Sequence, residues 1–134
     1  MIYIMDKIKI QFVGGYNTPT GSNFLLTYKN KKILIDCGLF QGEKVVSDNN
    51  YHDFPYNPAD IDYVFVTHGH LDHVGRIPKL LKEGFKGLIY STEPTRDIAE
   101  LIMLDSLNII NKEAERYGRL PFFEEGDVLK SMSH

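Results

Sequence analysis

The run His68-Gly69-His70-Leu71-Asp72-His73 sets three of the chain's five histidines and a carboxylate within six residues. Imidazole and carboxylate are the groups that hold zinc and similar divalent ions. The preceding Tyr63-Val64-Phe65-Val66-Thr67 predicts a buried strand, and Val74 to Lys82 after it has helical spacing. The cluster therefore belongs on a strand-to-helix turn, where a rigid scaffold aims side chains into a cleft. Satisfied surface or core histidines are the alternative, and so dense a run argues against them.

Around this turn the chain reads as a mixed α/β layer structure. Ile8, Ile10 and Phe12 alternate with Lys9 and Gln11, which predicts a strand with one buried face. Asn23 to Tyr28 and Lys32 to Ile35 predict two more strands joined by the polar turn Lys29-Asn30-Lys31 as a hairpin. Residues 41–60 form a long loop rich in Asn, Asp and Pro; a loop of that length either serves function or wraps the core. Leu88-Ile89-Tyr90 is a further strand. Thr92 and Pro94 open a helix whose apolar stripe is expected on Ile98, Leu101, Ile102 and Ile109, and Gly118 and Pro121 end it. Pro121 to His134 starts another short element.

Composition excludes several classes. With 134 residues and ordinary apolar and charged fractions, the chain is one domain or part of one. The net charge of −3 leaves no electrostatic footprint for nucleic acid, although bound metal ions supply positive charge that a formal count omits. The single cysteine, Cys37, rules out an internal disulfide framework and fits a reducing compartment, so the expected location is the cytoplasm. The stretch from Met1 to Gln11 alternates and carries Asp6, Lys7 and Lys9, unlike a signal peptide or a membrane span.

In an extended segment residues two apart face the same side, so His68 and His70 can hold one ion together. Asp72 and His73 lie where the chain enters the helix and can face a neighbouring position. Four donors so arranged suit two metals about 3.5–4 Å apart, which acidify water and stabilise charge on a carbonyl or phosphoryl oxygen. Asp36, at a strand end, is either an ordinary turn aspartate or a carboxylate that orients a ligand histidine. Cys37 reads as a small buried residue, His52 as a loop histidine and His134 as a frayed chain end. Asp105 is either a core polar group or a group facing the site.

The cluster resembles the H-x-H-x-D-H signature of the metallo-β-lactamase superfamily. The wider chain resembles its β-CASP branch of RNA-processing nucleases. The segments that carry this are Thr20-Gly21-Ser22, the run Ile33-Leu34-Ile35-Asp36-Cys37-Gly38-Leu39-Phe40-Gln41-Gly42, and Thr67 through Pro78. Gly84 to Tyr90, Thr92-Glu93-Pro94-Thr95-Arg96-Asp97 and Leu104-Asp105-Ser106 add to it, so that the likeness runs from about Lys7 to about Leu129. The resemblance implies an αββα sandwich, two zinc ions and hydrolysis of RNA phosphodiesters by water activated on the metals. It implies that His68 and His70 bind the first zinc and that Asp72 and His73 bind the second. It gives Asp36, like Asp72, a part in the catalytic centre.

The family pattern also has a further histidine, a later bridging aspartate and an inserted cap domain, none of which matches a segment of this sequence. Glu124-Glu125-Gly126-Asp127-Val128 resembles the acidic stretch before the family's third motif, and His134 comes too early to be its histidine. Residues 1–134 are thus expected to be the N-terminal half of the sandwich, without the second half of the core or the cap. Such a half leaves one sheet face uncovered, which predicts self-association or a second polypeptide that supplies the missing half. It also predicts weak zinc affinity and no activity alone. Two other functions fit the residues: a thioester hydrolase like the glyoxalase II group, and a non-catalytic subunit acting by association.

Overall fold

The computed structural model describes residues 7–134, so the alternation read through Met1–Asp6 lies outside the described residues. Five strands form one sheet in sequence order: β1 (Lys9–Gly14), β2 (Asn23–Tyr28), β3 (Lys31–Ile35), β4 (Tyr63–Phe65) and β5 (Leu88–Tyr90). The first three pair antiparallel as a meander, and β3, β4 and β5 pair parallel. The switch at β3 follows from the connections. A tight turn can reverse the chain, whereas parallel neighbours need a crossover. The β2–β3 hairpin is tighter than the sequence suggested, because Lys29 takes a left-handed φ of 54° and Tyr28 pairs directly with Lys31.

The crossover from β3 to β4 is the long loop, and it wraps the core. It holds a short helix, α1 (Lys44–Ser47), and 3₁₀ turns at Asp48–Tyr51 and Pro58–Asp60. Asn50, Phe54 and Ile61 are buried from it. The Asn50 side chain accepts from Phe40 N–H and donates to Phe40 C=O, both at 2.8 Å, which pins the loop to the strand exit.

After β4 the helical stretch breaks in two, α2 (Leu71–Val74) and α3 (Ile77–Lys82), with Gly75 and Arg76 between them. The helix opening thus comes earlier than the spacing of Val74 to Lys82 suggested, and Asp72 and His73 sit on its first turn. The long helix α4 (Glu93–Arg116) opens on a Thr92 side chain that accepts from Thr95 N–H, with Pro94 in its first turn. Beyond it, Gly118 adopts a φ of 62°. A Glu124/Asp127 capping box starts α5 (Glu125–Ser131).

All the packing is on one side. Leu25, Leu34 and Val64 of the sheet share a core with Ile77, Leu80, Leu81, Met103, Ile110, Phe123 and Val128. The expected stripe of α4 is not the buried one. Ala99, Met103, Ser106, Ile110 and Ala114 face inward, whereas Ile98, Leu101 and Ile109 are exposed and Ile102 is half-buried. Met103 and Ile110 carry the apolar contact of the packed face, with the small Ala99, Ser106 and Ala114 beside them. The expected burial of Ile8, Ile10 and Phe12 is also overturned, since they lie on the open side of the sheet, where no described helix packs. His134 is not frayed. Its carbonyl accepts from Ile89 N–H at 3.1 Å, and its Nδ1 lies 3.0 Å from the Gly87 carbonyl.

Candidate metal centre

At the carboxyl ends of β3 and β4 the two strand exits run alongside each other. Cys37 N–H donates to His73 C=O, Leu39 N–H to Leu71 C=O, Ser22 N–H to Asp72 C=O and Arg76 N–H to Cys37 C=O, all near 2.9 Å. This backbone ladder requires Gly38. A Cβ there would lie 1.6 Å from the Asp72 carbonyl oxygen. The ladder places Asp36 beneath the histidine turn, where it bends with a left-handed φ of 59° that aspartate tolerates better than most residues.

Asp36 is buried, and its carboxylate is saturated with donors. Oδ1 accepts Thr67 N–H at 2.8 Å. Oδ2 accepts the Thr67 hydroxyl at 2.9 Å, the Ser22 hydroxyl at 3.2 Å and His73 Nδ1–H at 2.7 Å. Asn23, also buried, donates from its amide to the Asp36 carbonyl at 2.7 Å and accepts the Tyr56 hydroxyl at 2.8 Å. Burial of the Tyr56 hydroxyl holds its pKa well above the ordinary value.

With His73 Nδ1–H committed to Asp36, its Nε2 lone pair faces outward, 3.5 Å from Asp72 Oδ2. A second pair forms beside it. The Thr67 hydroxyl spends its proton on Asp36 and accepts from His68 Nδ1–H at 3.0 Å, which leaves His68 Nε2 aimed at His70 Nδ1, 3.2 Å away. Two imidazole nitrogens at that distance need a proton or a cation between them. Two nitrogens on one tetrahedral zinc stand about 3.3 Å apart, given bonds of about 2.0–2.1 Å. Among the described residues no three donors converge as a ready cage. The donors come as two adjacent pairs, His68 with His70 and Asp72 with His73, and this arrangement fits a divalent metal at each pair.

The family model described as the metallo-beta-lactamase superfamily matches residues 17–128. The chain belongs to the metallo-β-lactamase superfamily. Membership implies a divalent metal, commonly zinc. Ribonuclease TTHA0252 of Thermus thermophilus is 37% identical over 90% of this chain and 26% of that protein. Transcription termination factor FttA of Methanosarcina mazei is 39% identical over 95% of this chain and 20% of that protein. Cleavage and polyadenylation specificity factor 73 of Drosophila melanogaster is 32% identical over 95% of this chain and 18% of that protein. The β-CASP RNA-processing nucleases, the branch read from the sequence, are where these relatives belong. The chain spans about a quarter or less of their length. Among solved structures, a metallo-β-lactamase with a HARLDQ motif from Cronobacter sakazakii is 26% identical with a TM-score of 0.47, over 66% of this chain and 30% of that one.

The five residues singled out for this superfamily's centre, Asp36, His68, His70, Asp72 and His73, lie together at one rim of the sheet. The other candidates lie elsewhere. His52 is exposed, and its backbone carbonyl accepts the Lys79 ammonium. Asp105 is exposed on α4 rather than a core polar group. Cys37 is fully buried as expected, and burial pushes its thiol up to about 11.

Three supporting residues carried no role in the sequence reading. Ser22 and Thr67 hold the Asp36 carboxylate, and Arg76 is buried with its guanidinium 4.5 Å over the Phe40 ring and Nε donating to the Gly38 carbonyl at 2.5 Å. Their partners are remote in sequence, so no local pattern pointed to them. No described helix is long and apolar enough to cross a membrane.

Proposed function

We propose that this chain carries part of the centre of a zinc-dependent RNA phosphodiester hydrolase of the cytoplasm. Residues 1–134 are the first portion of its metallo-β-lactamase domain. His68 with His70, and Asp72 with His73, hold the two zinc ions, and Asp36 orients His73. The observation that carries the reading is the Asp36–His73 hydrogen bond beside the His68–His70 pair. An ordinary turn aspartate has no need of four donors, and the relatives at 32–39% identity include a named ribonuclease.

When bound, zinc supplies Lewis acidity toward a phosphoryl oxygen and acidifies water. The chain's own residues set the rest. Asp36 fixes the His73 tautomer so that Nε2 stays unprotonated, and Thr67 does the same for His68 Nε2. The Gly38 ladder keeps both pairs at one rim. Each ion finds two donors among the residues described, so we expect weak zinc affinity and no turnover until further donors complete the shell. RNA is the substrate, and the open sheet face takes an association partner, a second copy or another polypeptide.

The test is a chimera in which residues 17–128 replace the matching segment of ribonuclease TTHA0252. RNA cleavage that is lost on His70→Ala and on Asp72→Asn is the expected result. A chimera that hydrolyses a thioester but leaves RNA intact would overturn the assignment.

A further inference from the structure

The exit of β3 has a partner for each of its polar backbone groups. The N–H groups of Asp36, Cys37, Gly38 and Leu39 donate to the carbonyls of Phe65, His73, Ser22 and Leu71 at 2.8–3.0 Å. The Asp36 carbonyl accepts from the Asn23 amide at 2.7 Å. The next two carbonyls both go to one residue. Cys37 C=O accepts Arg76 N–H at 2.9 Å, and Gly38 C=O accepts Arg76 Nε–H at 2.5 Å.

Close packing forces a weakness on this segment. The Asp72 carbonyl leaves no room for a Cβ at residue 38, and glycine is the residue whose backbone turns most freely. A rotation of the Gly38–Leu39 peptide would swing the Leu39 N–H away from Leu71 and part the ladder. The Leu71 carbonyl holds that peptide by its N–H, and Arg76 Nε holds it by its C=O.

Burial is costly for a cation. Arg76 is 4% exposed, and its Nη2 is buried with no hydrogen-bond partner among the described residues. The rings of Phe40 and Phe54, centred 4.5 Å and 5.2 Å from the guanidinium carbon, offset part of that cost. An apolar side chain would fill the space without incurring it. What an apolar side chain does not supply is the donor at Gly38.

We propose that Arg76 is a positioning residue. Its Nε–H locks the Gly38 peptide and so keeps the turn that carries Asp72 and His73 in register with Asp36. The lock stands on the backbone geometry, and its effect on zinc rests on the metal reading proposed above.

Three substitutions separate the hydrogen bond from the charge. Glutamine has its amide nitrogen at the same position along the side chain as arginine Nε, so Arg76→Gln keeps the donor and drops the charge. Arg76→Lys keeps the charge but has a methylene at that position, and Arg76→Met drops both. Amide hydrogen exchange of Cys37 and Leu39, read by NMR on metal-free protein, is expected near the wild-type rate in Arg76→Gln. In Arg76→Lys and Arg76→Met it should rise about tenfold or more. Zinc affinity, by competition with a chromophoric chelator, should follow the same order, falling about 10–100-fold in the Lys and Met variants. Lys79→Met is the control. It removes the cation 4.5 Å from the Phe54 ring, whose own partners are the His52 carbonyl and Glu83, and is expected to change neither readout.

Faster exchange in Arg76→Gln than in Arg76→Lys would assign the role to the charge and overturn the lock. Ladder amides unmoved in both Arg76→Lys and Arg76→Met would overturn it as well. If Arg76→Met does not fold, the contrast between the Gln and Lys variants decides. Faster exchange at unchanged zinc affinity would overturn the positioning role. A wild type that binds no zinc would overturn the metal reading, while the exchange comparison still decides the lock.

Discussion

Asp36 sits closer to the function than its place in the sequence suggests. Its carboxylate organises His73 directly and His68 through the Thr67 hydroxyl. Asp36→Asn keeps the shape and removes the charge, so zinc affinity is expected to fall about 10–100-fold, read by competition with a chromophoric chelator. Unchanged affinity would mean that the hydrogen bond only packs the loop. A second prediction concerns the buried thiol. The Cys37 pKa is raised from 9.0 to about 11, so the unfolded chain releases this proton at lower pH than the folded one. Its contribution to stability is complete below pH 9 and is lost between about pH 9 and 11, on the order of 3 kcal/mol. Denaturant melts of the wild type and Cys37→Ala across that range should converge as pH rises; parallel curves would refute it. At this scale the four candidate donors stood out in the sequence because all lie within six residues. On spacing alone the choice for Asp36 was open, because its partners Ser22, Thr67 and His73 are brought near only by the fold; the family resemblance was what gave it a part in the centre.

Elements fix the geometry through close approach. Gly38→Ala places a methyl group 1.6 Å from the Asp72 carbonyl oxygen, so the ladder has to part. We expect a loss of at least about 2 kcal/mol together with weaker zinc binding, by thermal melts and metal titration. Gly126 makes the contrast. It lies inside α5, and a Cβ added there would meet nothing within 4 Å, so Gly126→Ala should stabilise by about 0.5–1 kcal/mol. Equal melting shifts for the two substitutions would contradict the argument. Element types and order were legible from periodicity and from the Thr92, Pro94 and Gly118 signals. The buried side of α4 was not. This helix carries large apolar groups on two faces, Ile98, Leu101 and Ile109 on one and Met103 and Ile110 on the other, so its spacing alone does not tell which face the sheet covers.

At the largest scale, the described residues form a single sheet with helices on one side. Phe122, Phe123 and Val128 close that layer from the last segment, and α5 packs on α3. Burying each such side chain stabilises by about 1.5–3 kcal/mol. Deleting residues 121–134 should therefore abolish the cooperative melt, as seen by circular dichroism; a truncated chain that still melts sharply would show that the segment is an accessory. Alternation in Ile8, Ile10 and Phe12 identified an apolar face correctly but could not tell which face the helices cover. That depends on where α3 and α4 land, which no strand records.

The ladder between Cys37–Leu39 and Leu71–His73 also bears on which metal the chain acquires. In an unfolded chain, where these bonds are absent, the histidine run would have no fixed spacing. Such a run ranks ions by intrinsic affinity, and copper then outcompetes zinc. Once the ladder forms, the same donors are spaced and oriented, and selection passes to geometry. For the divalent ion that the superfamily implies, an encounter before the ladder forms would favour copper, and an encounter after it would be governed by the spacing of the donors.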